Sequence, residues 1–283
     1  MTHRTNHLGF HARAAGGLLI LAVLGLTALA LGPWGPVSAQ QPSGPMLEIS
    51  AETEIEDSPR QYDLVQLLVE FRPGASNQSH QVNGRALFTV LRGELTRIEE
   101  NGEMTVFKTG ETFREAEGDH FDVEKNNGPI PAHLLATFLL EPGAPPLVIE
   151  PDSTPPSIGP EVLAMARTTV GTIPAQFTLT HGIFRTEPGG VVPPHTHDGW
   201  QMVTLLEGQN VVLLDGEVQT GATFVDKPGV VHEGSNPGPG RVRVIFARLN
   251  PLGAPPARPV TSATAQMPAI QPPSTGDGGL AGR

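Results

Sequence analysis

Four residues in the C-terminal half of this 283-residue chain have the types and spacing to hold a metal ion. His195 and His197 lie two apart in the stretch GGVVPPHTHDGWQMVTLLEG, residues 189–208. Gln201 follows four residues on, and His232 lies downstream in PGVVHEGSN. Residues two apart on a strand point the same way, so His195 and His197 can share one ion. Asp198-Gly199 can turn the chain and return Gln201 from the next strand. His232, after Pro228-Gly229, can arrive from a later one. Neutral imidazole is the commonest metal ligand and suits Fe, Mn, Ni, Zn or Cu. An amide oxygen is a weaker donor than a carboxylate and carries no charge. Three His and one Gln would leave the ion's 2+ charge intact, which favours anionic or chelating ligands and lowers the pKa of bound water. The bland alternative, surface or capping histidines gathered by chance, fits the spacing poorly.

The elements that must position these residues read as strands. Gly 33, Pro 29 and 5% aromatics suit many short strands joined by turns, with some unstructured sequence. Residues 64–71 form an apolar run ended by Pro73-Gly74, and residues 86–91 another ended before Gly93. Residues 94–99 and 104–108 flank Glu100-Asn101-Gly102, a hairpin signal. Residues 134–140 and 241–247 are further apolar strands, and residues 211–214 meet the turn dipeptide Asp215-Gly216. No segment sustains a helical apolar period over three turns. The pattern also repeats. An offset of 115 brings Pro73-Gly74 onto Pro188-Gly189, His80 onto His195 and Gly93 onto Gly208. An offset of 111 brings Gly110 onto Gly221 and Gly118 onto Gly229.

These residues resemble the two cupin motifs. Gly189, His195, His197 and Gly208 fit the first, with Gln201 in the place of its glutamate. Gly221, Pro228, Gly229, His232 and Asn236 follow the second, with one extra residue before the proline. The resemblance covers both halves, residues 47–252, and implies an all-β chain of two tandem jelly-roll barrels. It implies His195, His197, Gln201 and His232 as ligands of one divalent transition metal. The exchange of Glu for Gln removes a carboxylate that could serve as a base. At the equivalent positions the first half has His80, Val82, Ala86 and Phe121, three of which cannot bind a metal. His120 is adjacent to the last position, but neighbours on a strand face opposite sides. The first barrel is therefore expected to be degenerate and metal-free. Trp200 is expected in the pocket wall or packed beside it. His181 shares parity with Phe177, Leu179 and Ile183, so it is either a pocket residue or a core histidine satisfied by polar partners.

Around the barrels the sequence suggests export. Arg4 and Arg13 precede an uncharged run, residues 14–32, followed by Pro33, Pro36 and Val37-Ser38-Ala39. That is the form of a secretory signal cleaved after Ala39, with an uncleaved membrane anchor as the alternative. The expected organisation is a signal peptide (1–39), a spacer (40–46), a degenerate cupin domain (47–141) and a Pro-rich linker (142–160). A metal-binding cupin domain (161–252) and a disordered tail (253–283) complete it, the tail being too poor in large apolar residues to offset its ordering entropy. The location is then extracytoplasmic. A net charge of −11 argues against nucleic acid or an anionic membrane surface as partner. The absence of cysteine excludes disulfides and thiolate ligands. The expected partner is a small-molecule ligand or substrate, with homo-oligomerisation left open. The expected function is a metal-dependent oxidoreductase of dioxygenase type acting on a chelating organic substrate. A non-catalytic small-molecule or metal-binding module is the alternative, and a purely structural metal site a third reading. No strong general base is visible, and Glu233 is a distant candidate.

Overall fold

The computed structural model describes residues 44–56, 60–118, 122–219 and 221–261. The expected signal peptide, His120, Phe121 and the chain beyond residue 261 lie outside the described residues. Within them are twenty strands and no helix. The first half holds β1 (Met46–Glu56), β2 (Arg60–Phe71), β3 (His80–Val82), β4 (Arg85–Arg92), β5 (Glu94–Ile98), β6 (Met104–Lys108), β7 (Thr112–Glu115), β8 (Val123–Lys125), β9 (Ala132–Leu140) and β10 (Leu147–Ile149). The second holds β11 (Glu161–Ile173), β12 (Gln176–Thr186), β13 (Val191–Thr196), β14 (Trp200–Glu207), β15 (Val211–Leu214), β16 (Glu217–Gln219), β17 (Thr223–Asp226), β18 (His232–Ser235), β19 (Val242–Pro251) and β20 (Arg258–Pro259).

The first barrel pairs a five-stranded sheet, β11-β2-β9-β4-β7, with two small sheets, β6-β5-β8 and β10-β3. The second pairs β1-β12-β19-β14-β17 with β16-β15-β18-β13-β20. All named pairs are antiparallel. Two of the three five-stranded sheets take an edge strand from the other half. β1 runs along β12, with Glu52 opposite Thr180, and β11 runs along β2, with Arg167 opposite Val65. The boundary expected at residues 142–160 therefore does not separate the sheets. That segment is itself partly strand, because β10 closes the edge of β3.

The large sheets pack back to back, and their strands are accordingly apolar on both faces. In β2, Val65, Val69 and Phe71 belong to the interior of the first barrel, whereas Tyr62 and Leu64 face the second. The shared layer comprises Leu64, Leu139, Phe177, Leu179, Met202 and Leu249 with their neighbours, all nearly inaccessible to solvent. Truncating one such leucine to alanine costs about 2–5 kcal/mol. Gly199 shows how tightly the chain is laid down beside this layer. A Cβ there would sit 1.6 Å from the Leu249 carbonyl oxygen, so only glycine lets the turn after His197 rest on β19. Gly84 meets the Leu139 carbonyl oxygen in the same way in the first barrel.

His181 lies in this shared layer. It is fully buried, and its Nε2 and Nδ1 sit 2.7 Å and 2.9 Å from the hydroxyls of Thr89 and Thr137, both from the other barrel. Its sequence parity with Leu179 and Ile183 is thus the parity of the inter-barrel face, and the pocket role is corrected to that of a satisfied core histidine. Burial lowers its pKa to about 3, against 6.5 in the open chain. Above pH 6.5 both states are neutral and the residue makes stability independent of pH. As pH falls from 6.5 towards 3 only the unfolded chain takes up the proton, so stability is lost by at most about 1.4 kcal/mol per unit. Replacing His181 by Gln should remove this contribution. Urea unfolding at pH 7 and pH 5 is expected to show a smaller acid-induced loss in H181Q than in the parent.

Candidate metal centre

His195 and His232 stand directly opposite each other on β13 and β18. His197 follows two residues later, just past the end of β13. The three imidazoles bring one ligand atom each within 4.8 Å of the others. Each Nδ1 faces a backbone carbonyl: His195 that of Pro193 at 2.7 Å, His197 that of Pro256 at 2.7 Å, and His232 that of Val230 at 3.5 Å. A neutral ring that donates from Nδ1 offers its lone pair at Nε2. The Nε2 atoms of His197 and His232 are buried without a hydrogen-bond partner. Burial lowers the pKa of all three, to about 3 for His197 and about 4 for His232. Three neutral imidazoles with converging lone pairs fit a divalent transition metal.

A polar row crosses the sheet behind them. In register it runs Glu52, Thr180, Arg248, Gln201, Asp226 across β1, β12, β19, β14 and β17. Gln201 is buried and donates from Nε2 to Asp226 Oδ2 at 2.9 Å, which leaves its amide oxygen as the atom available to an ion. Asp226 Oδ2 also lies 3.4 Å from His232 Nε2, while Oδ1 is buried and unpartnered. Burial raises the Asp226 pKa to about 6, opposed by the Gln201 hydrogen bond. Asp226 escaped the motif reading, although the repeat held a signal for it. Glu115 faces Ala86 across β4 and β7 as Asp226 faces Gln201 across β14 and β17, so both halves carry an acid there. The histidines, Gln201 and Arg248 line a cavity of about 600 Å³, whose apolar wall is formed by Phe184, Val203, Phe224, Val244 and Phe246.

A cupin domain model matches the chain twice, over residues 67–138 and 182–248. The chain belongs to the cupin superfamily. Among solved structures, a vicilin from Solanum melongena has a TM-score of 0.51 at 12% identity, covering 71% of this cupin and 78% of the vicilin. Oxalate decarboxylase from Bacillus subtilis follows at TM-score 0.47 and 11% identity, covering 73% and 77%. AerE from Microcystis aeruginosa reaches 0.44 at 14% identity, covering 69% and 98%. No curated protein sequence matches this cupin.

The segment after β19 completes the centre of the second cupin barrel. The expected disorder of residues 253–283 does not hold for residues 253–261. β20 pairs with His195 and Thr196, Val260 N donates to the Pro194 carbonyl at 3.0 Å, and Arg258 forks onto Asp198 with two bonds of 2.7 Å. Proline lacks an N–H but keeps its carbonyl, so a proline-rich strand can close a sheet edge and still accept the His197 proton. Trp200 requires a correction too. Parity places it on the opposite face of β14 from Gln201, packed in the inter-barrel layer against Gly171, outside the cavity wall.

In the first cupin barrel Asp122 bridges to His80, as His232 pairs with His195. His80, Glu115 and Glu124 bring ligand atoms within 4.8 Å, a donor group that the aligned positions did not reveal. Arg97 is held among these acids, 3.7 Å from Glu115 and 3.8 Å from Asp122, and over the rings of Phe107 and Phe113. Phenylalanines pack the interior beside them, Phe88 stacked on Phe113 with ring centroids 4.7 Å apart and edge-on to Phe138 at 5.6 Å.

Truncating the chain after Leu252 removes both β20 and the carbonyl that orients His197. Loss of such an orienting partner typically weakens metal affinity about 10–100-fold, and a competitive chelator titration of the truncated protein is expected to show a loss of that order. In protein lacking residues 1–39, Trp200 is the sole tryptophan. Its emission is expected to change little on metal addition and to shift strongly on unfolding.

Proposed function

We propose that this chain is an exported, metal-dependent cupin oxidoreductase of dioxygenase type that acts on a small chelating organic substrate. The observation that carries this reading is the convergence of three neutral imidazoles on one wall of a cavity large enough for such a molecule. His195, His197 and His232 would hold the metal, with the Gln201 amide oxygen as a fourth, uncharged donor. When bound, a divalent transition metal supplies Lewis-acid activation of a chelated substrate and, for a redox-active ion, one-electron chemistry with dioxygen.

The protein's own residues then have separable tasks. The carbonyls of Pro193, Pro256 and Val230 hold the imidazole rings. The aromatic and aliphatic wall excludes water and receives the body of the substrate. Asp226 is the acid placed to hold or release a proton, at its unpartnered Oδ1. It stands nearer the ligand set than Glu233, which also lines the cavity, because it touches both Gln201 and His232. The second reading, a non-catalytic small-molecule or metal-binding module, is favoured by the hydrogen bond that ties Asp226 to Gln201. Export rests on the signal-like residues 1–39, and N-terminal sequencing of protein from the extracytoplasmic fraction tests it.

Purified protein spanning residues 40–283 is expected to carry a transition metal by elemental analysis and to consume oxygen with a panel of diols and flavonoid-like chelators. Asp226→Asn should keep the metal and lose activity by about 10²-fold or more, the usual scale for a positioned acid or base. Bound metal without turnover would select the binding module. Metal content near zero and unchanged by His195→Ala would remove the site altogether.

A further inference from the structure

Arg248 stands over the Phe246 ring, its guanidinium carbon 5.6 Å from the ring centroid, and has no carboxylate against it. Among the described residues it is the only buried arginine, 8% exposed. Several other arginines lie against carboxylates: Arg167 on Asp63, Arg243 on Glu48, Arg258 on Asp198. Arg248 makes no such pair. Its Nε is buried without a hydrogen-bond partner, and the acid that bears on it, Glu52, lies beyond ion-pair distance on the exposed edge strand β1. A guanidinium does not shed its proton in a protein, so the charge remains. A buried charge without a partner is strongly destabilising.

The fold does not require it. In the first barrel Phe138 faces Ala86 across β9 and β4, just as Arg248 faces Gln201 across β19 and β14. The same strand pair therefore closes with an apolar residue at this position. The second barrel has replaced an Ala–Phe pair by a Gln–Arg pair and has kept a cavity where the first is filled. Two carboxylates, Glu52 and Glu233, also stand on the wall of that cavity, and neither forms an ion pair with Arg248. The ligand set holds three neutral imidazoles and an amide, so a 2+ ion keeps its charge, and Arg248 adds another. Asp226 supplies the one buried acid of the row and already accepts from Gln201.

We infer that Arg248 is an anion-recognition residue, and that the cavity takes a small organic acid with an apolar body. The carboxylate would pair with the guanidinium beside the metal centre, and the body would lie on Phe224, Phe246 and Val203. A planar guanidinium matches a carboxylate with two parallel hydrogen bonds, which a lysine cannot reproduce. This rests on the cavity being the binding site of the proposed function and names its ligand class. It does not require that a metal be bound or that turnover occur.

The test is calorimetric titration of benzoate and of its neutral isostere benzamide into protein stripped of metal by a chelator, and separately into zinc-loaded protein. Benzoate is expected to bind metal-free protein more tightly than benzamide by about tenfold or more, the scale of a charge-assisted hydrogen-bonded pair. Arg248→Met should abolish that preference, and Arg248→Lys should retain part of it. Arg248→Met is also expected to unfold at a temperature no lower than the parent, because it removes an unpaired buried charge, and circular dichroism checks its fold. Arg248→Lys keeps a cation in place and reads the same preference if the methionine variant does not fold. Equal affinity for benzoate and benzamide in the parent, or undiminished benzoate preference in the folded Arg248→Met protein, overturns the inference. A protein that takes up no zinc yet prefers benzoate would sink the metal reading and leave this one standing.

Discussion

The back-to-back packing of two five-stranded sheets is the constraint from which the rest of this structure follows. Each strand of β1-β12-β19-β14-β17 presents one face to the other barrel and one to its own interior, and alternate residues divide between them. On β14, Trp200 and Met202 go to the shared layer, and Gln201 and Val203 go to the cavity. On β19, Ala247 and Leu249 are shared, and Phe246 and Arg248 line the cavity. A slip of one residue in register would bury Arg248 between the sheets and expel the polar row from the site. The exchange of β1 and β11 between the halves ties both edges into this arrangement, so the first half of the chain completes the sheet carrying Gln201 and Arg248.

The two barrels show what the same scaffold does with different interior residues. In the first, stacked phenylalanines fill the space and Arg97 stands among buried acids, so charge is compensated within the protein. In the second, the interior keeps three neutral histidines, an amide, the buried Asp226 and a guanidinium without a carboxylate partner around open volume. Dispersion and burial favour the filled barrel. The open one gives up that packing and keeps polar and charged side chains around the space.

The proline-rich segments join these two themes. Residues after β9 and after β19 occupy corresponding places, each adding an edge strand beside the strand that bears the first histidine of its barrel. Their prolines contribute carbonyls without demanding ladder partners for missing N–H groups. In the second barrel one of those carbonyls fixes the ring of His197. A segment with the composition of a loose tail thereby forms part of the centre.

Much of the architecture was legible in the sequence. Short apolar runs, turn dipeptides and an internal offset are local or periodic signals, and they sufficed for two β-barrels and for the spacing of His195, His197 and His232. The sequence also determined that any metal there would lack a thiolate, and that the motif glutamate is Gln201. Tertiary structure alone decided what depends on register and on distant partners. Which face His181 and Trp200 occupy follows from the second barrel's being stacked on the first. That Asp122 opposes His80 follows from strand pairing. Asp226 and Arg248 reach the site because β17 and β19 flank β14, although 25 and 47 residues separate them from Gln201 along the chain. Order in residues 253–261 likewise depends on an exposed strand edge far away in sequence. Composition reports the cost of ordering such a segment and carries no information about the partner that repays it.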